Sequence, residues 1–181
     1  RFDPSIKFFQ PLSATMFGVP VECPQNEETQ LRPNSPYACA KTAAYYVCQH
    51  YRSEHEMFVA TAIFYNHDSP RRGKEYLLQK IAAGEKLSGN LNAVVDIGYA
   101  EEYMKAAWSI MQLKEPDDFV IGTGRGYVIG DLLKNNPSCC LSHETRNVAA
   151  LIADCSKAKE TFGWNPEHDA KSVLEMIIRC E

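Results

Sequence analysis

The 181 residues are enough for one domain with a core of its own, and 45% hydrophobic with 23% charged residues excludes a disordered or fibrous chain. A net charge of -4, with basic residues scattered apart from one Arg-Arg pair, excludes the clustered basic face of a nucleic-acid binder. No apolar run approaches the roughly 20 residues of a membrane span, and the opening RFDPSIKFF carries no signal-peptide pattern.

Taken in chain order, the elements alternate between strand and helix. Ile6 to Phe9 is apolar and β-compatible, and a turn-rich stretch follows through Gly18 and Pro24. Gln25 to Pro36 is polar and proline-punctuated, which predicts a surface loop. Ser35 as N-cap and Pro36 at the first helical position predict a helix from Pro36 to His55. The continuous run Met57 to Tyr65 (MFVATAIFY) predicts a strand buried on both faces. A loop at Asp68 to Gly73 leads to a predicted helix over Lys74 to Lys86. Tyr103, Ala106, Ala107 and Ile110 mark a second over Gly98 to Leu113. Asp118 to Gly122 (DFVIG) reads as a strand, Asp131 to Lys134 as a short helix, and Ser156 to Phe162 and Ala170 to Arg179 as the last two helices. Strands separated by helices predict an α/β chain with a parallel sheet. Three strands are fewer than the five or so of an average sheet, and a three-stranded parallel sheet leaves both edges poorly protected.

The seven cysteines contain no C-x-x-C pair and no zinc-type grouping with histidine. Cys39 and Cys48 fall inside the predicted helix, so the set reads as reduced, mostly buried thiols in a reducing compartment, the cytoplasm. Tyr37 and Lys41, in SPYACAK, form a Y-x-x-x-K pair that a helix places on one face. An ammonium near a phenol favours the phenolate, the form that takes a proton from a sugar hydroxyl as hydride leaves the carbon. By itself the spacing fits any ordinary helix.

Six segments follow one another in an order that narrows this reading: QPLSATMFG (Gln10 to Gly18), SPYACAK, FYNHDSPRRG (Phe64 to Gly73), GNLNAVVDIGYAEEY (Gly89 to Tyr103), DDFVIGTG (Asp117 to Gly124) and DCSKAKETFGWNP (Asp154 to Pro166). Together they resemble the GDP-mannose 4,6-dehydratases, extended short-chain dehydrogenases/reductases, over most of the chain. NHDSPRRG is the most specific segment. The resemblance implies the C-terminal part of a Rossmann-type parallel sheet with a small helical substrate-binding region. Residues 1–181 would form one partial domain, with the first βαβ units absent.

It also implies roles. In the family's reaction, NADP takes hydride from C4 of the mannose, water is then eliminated, and hydride returns at C6. Ser13, Tyr37 and Lys41 match the catalytic positions, and Asn66 and Lys80 match substrate contacts. Arg146 matches an arginine on the nucleotide diphosphate, a role suited to its planar fork. Arg71 and Arg72 match a loop that reaches a neighbouring subunit's NADP; on residue type alone they are a solvated basic pair. The implied partners are GDP-mannose or a related GDP-sugar and a homo-oligomer or larger assembly, with no nucleic acid.

Three positions depart from the pattern. Thr15 stands where the family has the glutamate base of the elimination, and Val95 and Gly130 stand where it has diphosphate arginines. No G-x-x-G-x-x-G turn is present, since GTGRGY (Gly122 to Tyr127) lies at a late strand. The chain also looks shortened after Ile81 and between Lys134 and His143. By itself it is expected neither to hold NADP tightly nor to turn over substrate. The competing expectation is a catalytically degenerate scaffold or accessory subunit. His67, the other histidines and both tryptophans read as structural, with Trp164 packing the last helices.

Overall fold

The computed structural model describes residue 3, residues 6–133 and residues 150–180. Its centre is a parallel sheet of order β1-β2-β6, formed by β1 (Phe8–Ser13), β2 (Val59–Phe64) and β6 (Asp118–Ile121). Phe8 pairs with Val59 and Ser13 with Phe64, while Thr61 pairs with Asp118 and Phe64 with Ile121. Every residue of β2 is buried, as a central strand covered on both faces requires. Ala60, Ala62 and Phe64 join one core with Tyr103, Ile110, Ala158 and Trp164. Ile63 and the adjoining Tyr65 join the opposite one with Leu12, Met16 and Phe17.

Helix α1 (Pro36–His55) lies on the second of these faces, and α3 (Ala100–Gln112) and α5 (Ser156–Phe162) lie on the first. The start of α1 is set by Ser35, whose hydroxyl accepts the Ala38 N–H at 3.2 Å, with Pro36 at the first helical position. Its C-terminal half is tied to the sheet by Arg52, which donates to Val59 O at 2.8 Å and pairs with Asp118 on β6.

A separate apolar cluster joins α2 (Leu77–Ala82), α4 (Ile129–Leu133) and α6 (Ala170–Cys180) through Leu78, Ile81, Leu132, Val173, Leu174 and Ile177. Two short ladders frame this helical region. β3 (Asn66–Asp68) pairs in parallel with β5 (Ile97–Tyr99), and β4 (Val94–Val95) pairs antiparallel with β7 (Tyr127–Val128). The α/β character, the parallel sheet and its covering helices agree with the sequence reading.

Four expectations need correction. The first strand is Phe8–Ser13, not Ile6 to Phe9, and runs through Pro11 because an edge strand tolerates a missing N–H. The polar stretch 25–36 is not wholly a surface loop: Gln25 is 0% exposed and Glu27 accepts the Val120 N–H of β6, so its polar groups cover the outer edge of the sheet. The cysteines are not mostly buried; among those described only Cys48 is, and Cys23, Cys39 and Cys180 are exposed. Trp108 is 69% exposed on α3, whereas Trp164 is buried and donates to Gly122 O at 2.9 Å.

Candidate functional site at the strand ends

In a parallel α/β sheet, the carboxyl ends of the strands are where loops can converge on a ligand. Ser13 closes β1 there and caps a 3-10 turn over Ala14–Phe17. Its hydroxyl oxygen accepts from Thr15 N at 3.3 Å and Thr15 Oγ1 at 3.0 Å. Thr15 itself is exposed, so its side chain stands beside the Ser13 hydroxyl rather than inside the core.

Tyr37 and Lys41 occupy the opening turns of α1. The Tyr37 ring is 56% exposed, and the Lys41 ammonium lies 5.8 Å from its centroid. Lys41 Nζ also donates to Pro11 O at 2.9 Å. This contact crosses from helix to strand and fixes the Tyr-Lys pair beside the strand that ends in Ser13. An ammonium has three donors, so the contact occupies one.

Asn66 is exposed and follows β2 by two residues, pairing with Ile97. Next to it, His67 Nδ1 lies 3.0 Å from Tyr65 O, and its ring packs on Phe64 and Tyr103. Burial lowers the His67 pKa, which suits a neutral, structural imidazole. In the loop beyond β3, Arg71 is exposed. Arg72 stacks on Tyr76 at 3.6 Å, and its buried Nε has no partner among the described residues.

Lys80 lies apart from this group, on α2. It lines a cavity of about 240 Å3 with Glu75, Lys86, Ser88, Asn90 and Leu91. Gly130 adjoins its wall: its N–H donates to Leu91 O at 2.8 Å, and a Cβ there would lie 3.3 Å from the same oxygen. Val95 is half-buried in β4 opposite Tyr127. Arg146 lies outside the described residues. The structure thus ties Lys41, beside Tyr37, to the strand that ends in Ser13, sets Asn66 just beyond the neighbouring strand end, and puts Lys80 in a separate recess.

Just past the end of β6, the chain is held by a carboxylate to which the motifs gave no role. Asp96 is 1% exposed and accepts from Thr123 Oγ1 at 2.6 Å, Thr123 N at 2.9 Å, Gly124 N at 3.0 Å and Ala153 N at 3.1 Å. Burial raises its pKa, and these bonds act against that rise. Asp96 therefore sets the path of the chain after β6. Asp96 lies inside the segment GNLNAVVDIGYAEEY, and its own signal is an acidic residue amid V-V-D-I-G, where a strand should be apolar.

Comparison with known proteins bears on the whole arrangement. A family model described as GDP-mannose 4,6 dehydratase matches residues 1–145. The chain is 33% identical over 219 residues to GDP-mannose 4,6 dehydratase 2 of Caenorhabditis elegans, an alignment covering 100% of this chain and 57% of that protein. It is 31% identical over 216 residues to GDP-mannose 4,6 dehydratase of Homo sapiens, covering 98% and 58%. Its fold is similar to that of dTDP-glucose 4,6-dehydratase from Bacillus anthracis in complex with NAD, with a TM-score of 0.87 at 19% identity, covering 97% of this chain and 61% of that one. RMD from Pseudomonas aeruginosa, complexed with NADPH, gives a TM-score of 0.85 at 18% identity, covering 96% and 65%. The chain therefore spans a little over half the length of the curated relatives it matches.

Proposed function

The chain belongs to the GDP-mannose 4,6-dehydratase family, and from that premise we propose that it carries the GDP-sugar-binding and C4 proton-transfer part of an NADP-dependent sugar-nucleotide dehydratase. The observation that carries this reading is the Lys41–Pro11 contact at 2.9 Å, which holds the Tyr-Lys pair at the strand end occupied by Ser13. Ser13 is the hydrogen-bonding partner for the C4 oxygen, and Tyr37 receives the C4 hydroxyl proton. Lys41 keeps positive charge beside the phenol and offers donors to a ribose.

A nicotinamide cofactor, when bound, supplies the hydride exchange. Tyr37 and Lys41 fit its ribose side, and the unpartnered Nε of Arg72 fits an anionic group. The recess around Lys80 and Lys86 suits a diphosphate. Binding there is weaker than two further arginines would make it, since Val95 and Gly130 supply no charge. We place the protein in the cytoplasm, acting as a homo-oligomer or as a subunit of a larger assembly.

The test is binding of GDP-mannose to the purified chain by calorimetry, with Lys80→Ala alongside. Wild-type binding that weakens about tenfold in Lys80→Ala, roughly one charged hydrogen bond, supports the reading. No binding of GDP-mannose or GDP overturns it.

A second reading, a degenerate scaffold, is favoured by Thr15, because a threonine hydroxyl cannot act as the carboxylate base of an elimination. The two readings part on Thr15→Glu. In a chain completed by a cofactor-binding half, NADP-dependent dehydration appears or rises in that variant; a scaffold gains nothing.

A further inference from the structure

Away from the strand ends, α3 and the segment leading into α6 enclose the sides of a cavity of about 490 Å3, lined in part by Tyr99, Lys105, Ser109 and Trp164. Glu102, Glu167 and His168 share its wall, and one ligand-type atom from each lies within 4.8 Å of the others. We propose that these three residues form a binding site for a divalent first-row metal ion of the zinc class.

The geometry is close to what such an ion needs. Zinc bonds to nitrogen and oxygen are about 2.0–2.2 Å long, which puts tetrahedral ligand atoms about 3.4 Å apart. Rotation of the exposed Glu167 and of the half-buried His168, whose ring meets Tyr99 edge-on at 5.5 Å, has to close the remainder, up to about 1.4 Å. Glu102 is already positioned. Its Oε1 accepts from Glu167 N at 2.8 Å and its Oε2 from His168 N at 3.3 Å. The residue on α3 is thus registered against the other two by backbone bonds, the kind of support that orients metal ligands. Each carboxylate oxygen still has lone-pair capacity after one such bond.

Charge and donor type agree. Lys105, the cation on this wall, is paired with Glu101 at 2.8 Å, and no ion pair to Glu102 or Glu167 occurs among the described residues. Two carboxylates and an imidazole suit zinc, cobalt or manganese better than a thiolate-seeking ion. Three protein ligands leave a coordination position facing the cavity, open to water or an oxygen ligand. A bound ion ties α3 to the segment before α6, so it should stabilise the fold in proportion to its affinity. None of this depends on the sugar-nucleotide reading.

The experiment is a titration of the purified chain with Co2+ in a Trp108→Phe background, so that quenching reports on Trp164 in the same cavity. Expected are saturable binding of one ion, a cobalt spectrum without a thiolate charge-transfer band, and affinity at least tenfold weaker in both Glu167→Gln and His168→Ala. Zinc should raise the wild-type melting temperature reversibly with chelator, and should leave His168→Ala unmoved. No saturable binding, unchanged affinity in the two variants, or a thiolate band from cysteine ligation would each overturn the site.

Discussion

Replacing Asp118 by leucine should remove about 3 kcal/mol from the stability of the fold. Asp118 is 7% exposed and accepts two bonds from Arg52, at 3.1 and 2.5 Å, and one from the Thr61 hydroxyl at 2.7 Å. Breaking a buried pair by removing one partner costs about 3–5 kcal/mol, because the other charge is left uncompensated. The Arg52 side chain is 21% exposed and keeps its bond to Val59 O, which puts the expected cost at the lower end. Against a typical total of about 5–15 kcal/mol, that is a large loss. Arg52→Met should be costly for the reciprocal reason. The double variant should then be less destabilised than the sum of the singles by about 2 kcal/mol, since it strands no charge. Urea unfolding followed by circular dichroism measures all three. A leucine variant losing under about 1 kcal/mol, or singles that add within about 0.5 kcal/mol, would refute the assignment of this pair as the tie between α1 and the sheet.

Burial acts to raise the pKa of Asp118, but the bonds from Arg52 and Thr61 and the Arg52 charge outweigh it, and the net shift is downward. Its stabilisation is therefore complete above the ordinary carboxylate value of 3.8 and is lost as pH falls below it; Asp118→Asn should flatten that acid limb in unfolding curves. Gly98→Ala should cost about 1–3 kcal/mol in the same assay, because the new Cβ would lie 2.6 Å from Tyr103 Cε2 in a side chain that is 0% exposed. Burial pushes the Cys155 thiol up to about 12, so among the described cysteines mass-spectrometric mapping of alkylation at neutral pH should find Cys23, Cys39 and Cys180 labelled first and Cys155 protected until unfolding. Tyr37→Phe, at a half-exposed ring, should change stability by under about 0.5 kcal/mol while abolishing any NADP-dependent oxidation of a GDP-sugar.

Local signals carried the long elements. Ser35-Pro36 marks the start of α1, and the continuous apolar run Met57 to Tyr65 reads as a strand with both faces covered, which Val59–Phe64 is. The short ladders were not legible, because Asn66 finds Ile97 and Val94 finds Val128 far along the chain, and two or three residues carry no periodicity of their own. Polar composition misplaced Gln25, whose amide is satisfied inside the protein by Glu22 O nearby and by Ala150 O and Tyr65 OH far along the chain. At the candidate site, the family motifs are what point to Tyr37, Lys41 and Ser13. Asp96 and the Glu102 cluster were given no role, since one buried acid, and a glutamate 65 positions before its two partners, have no pattern until the chain folds.

Gln25 makes the order of assembly a matter of protein synthesis. Its backbone N–H donates to Ile152 O at 2.9 Å, and its carbonyl accepts from Asp154 N at 2.7 Å. Its side-chain oxygen takes Tyr65 OH at 2.8 Å and Ile152 N at 3.0 Å, across a separation of 127 residues. A nascent chain can form α1 and pair β1 with β2 early, but the backbone of Gln25 lacks its partners until residues 152–154 have left the ribosome. Contacts this distant in sequence are slow to close and leave apolar surface waiting meanwhile. Truncation before residue 152 should therefore yield an aggregating product rather than a smaller folded protein.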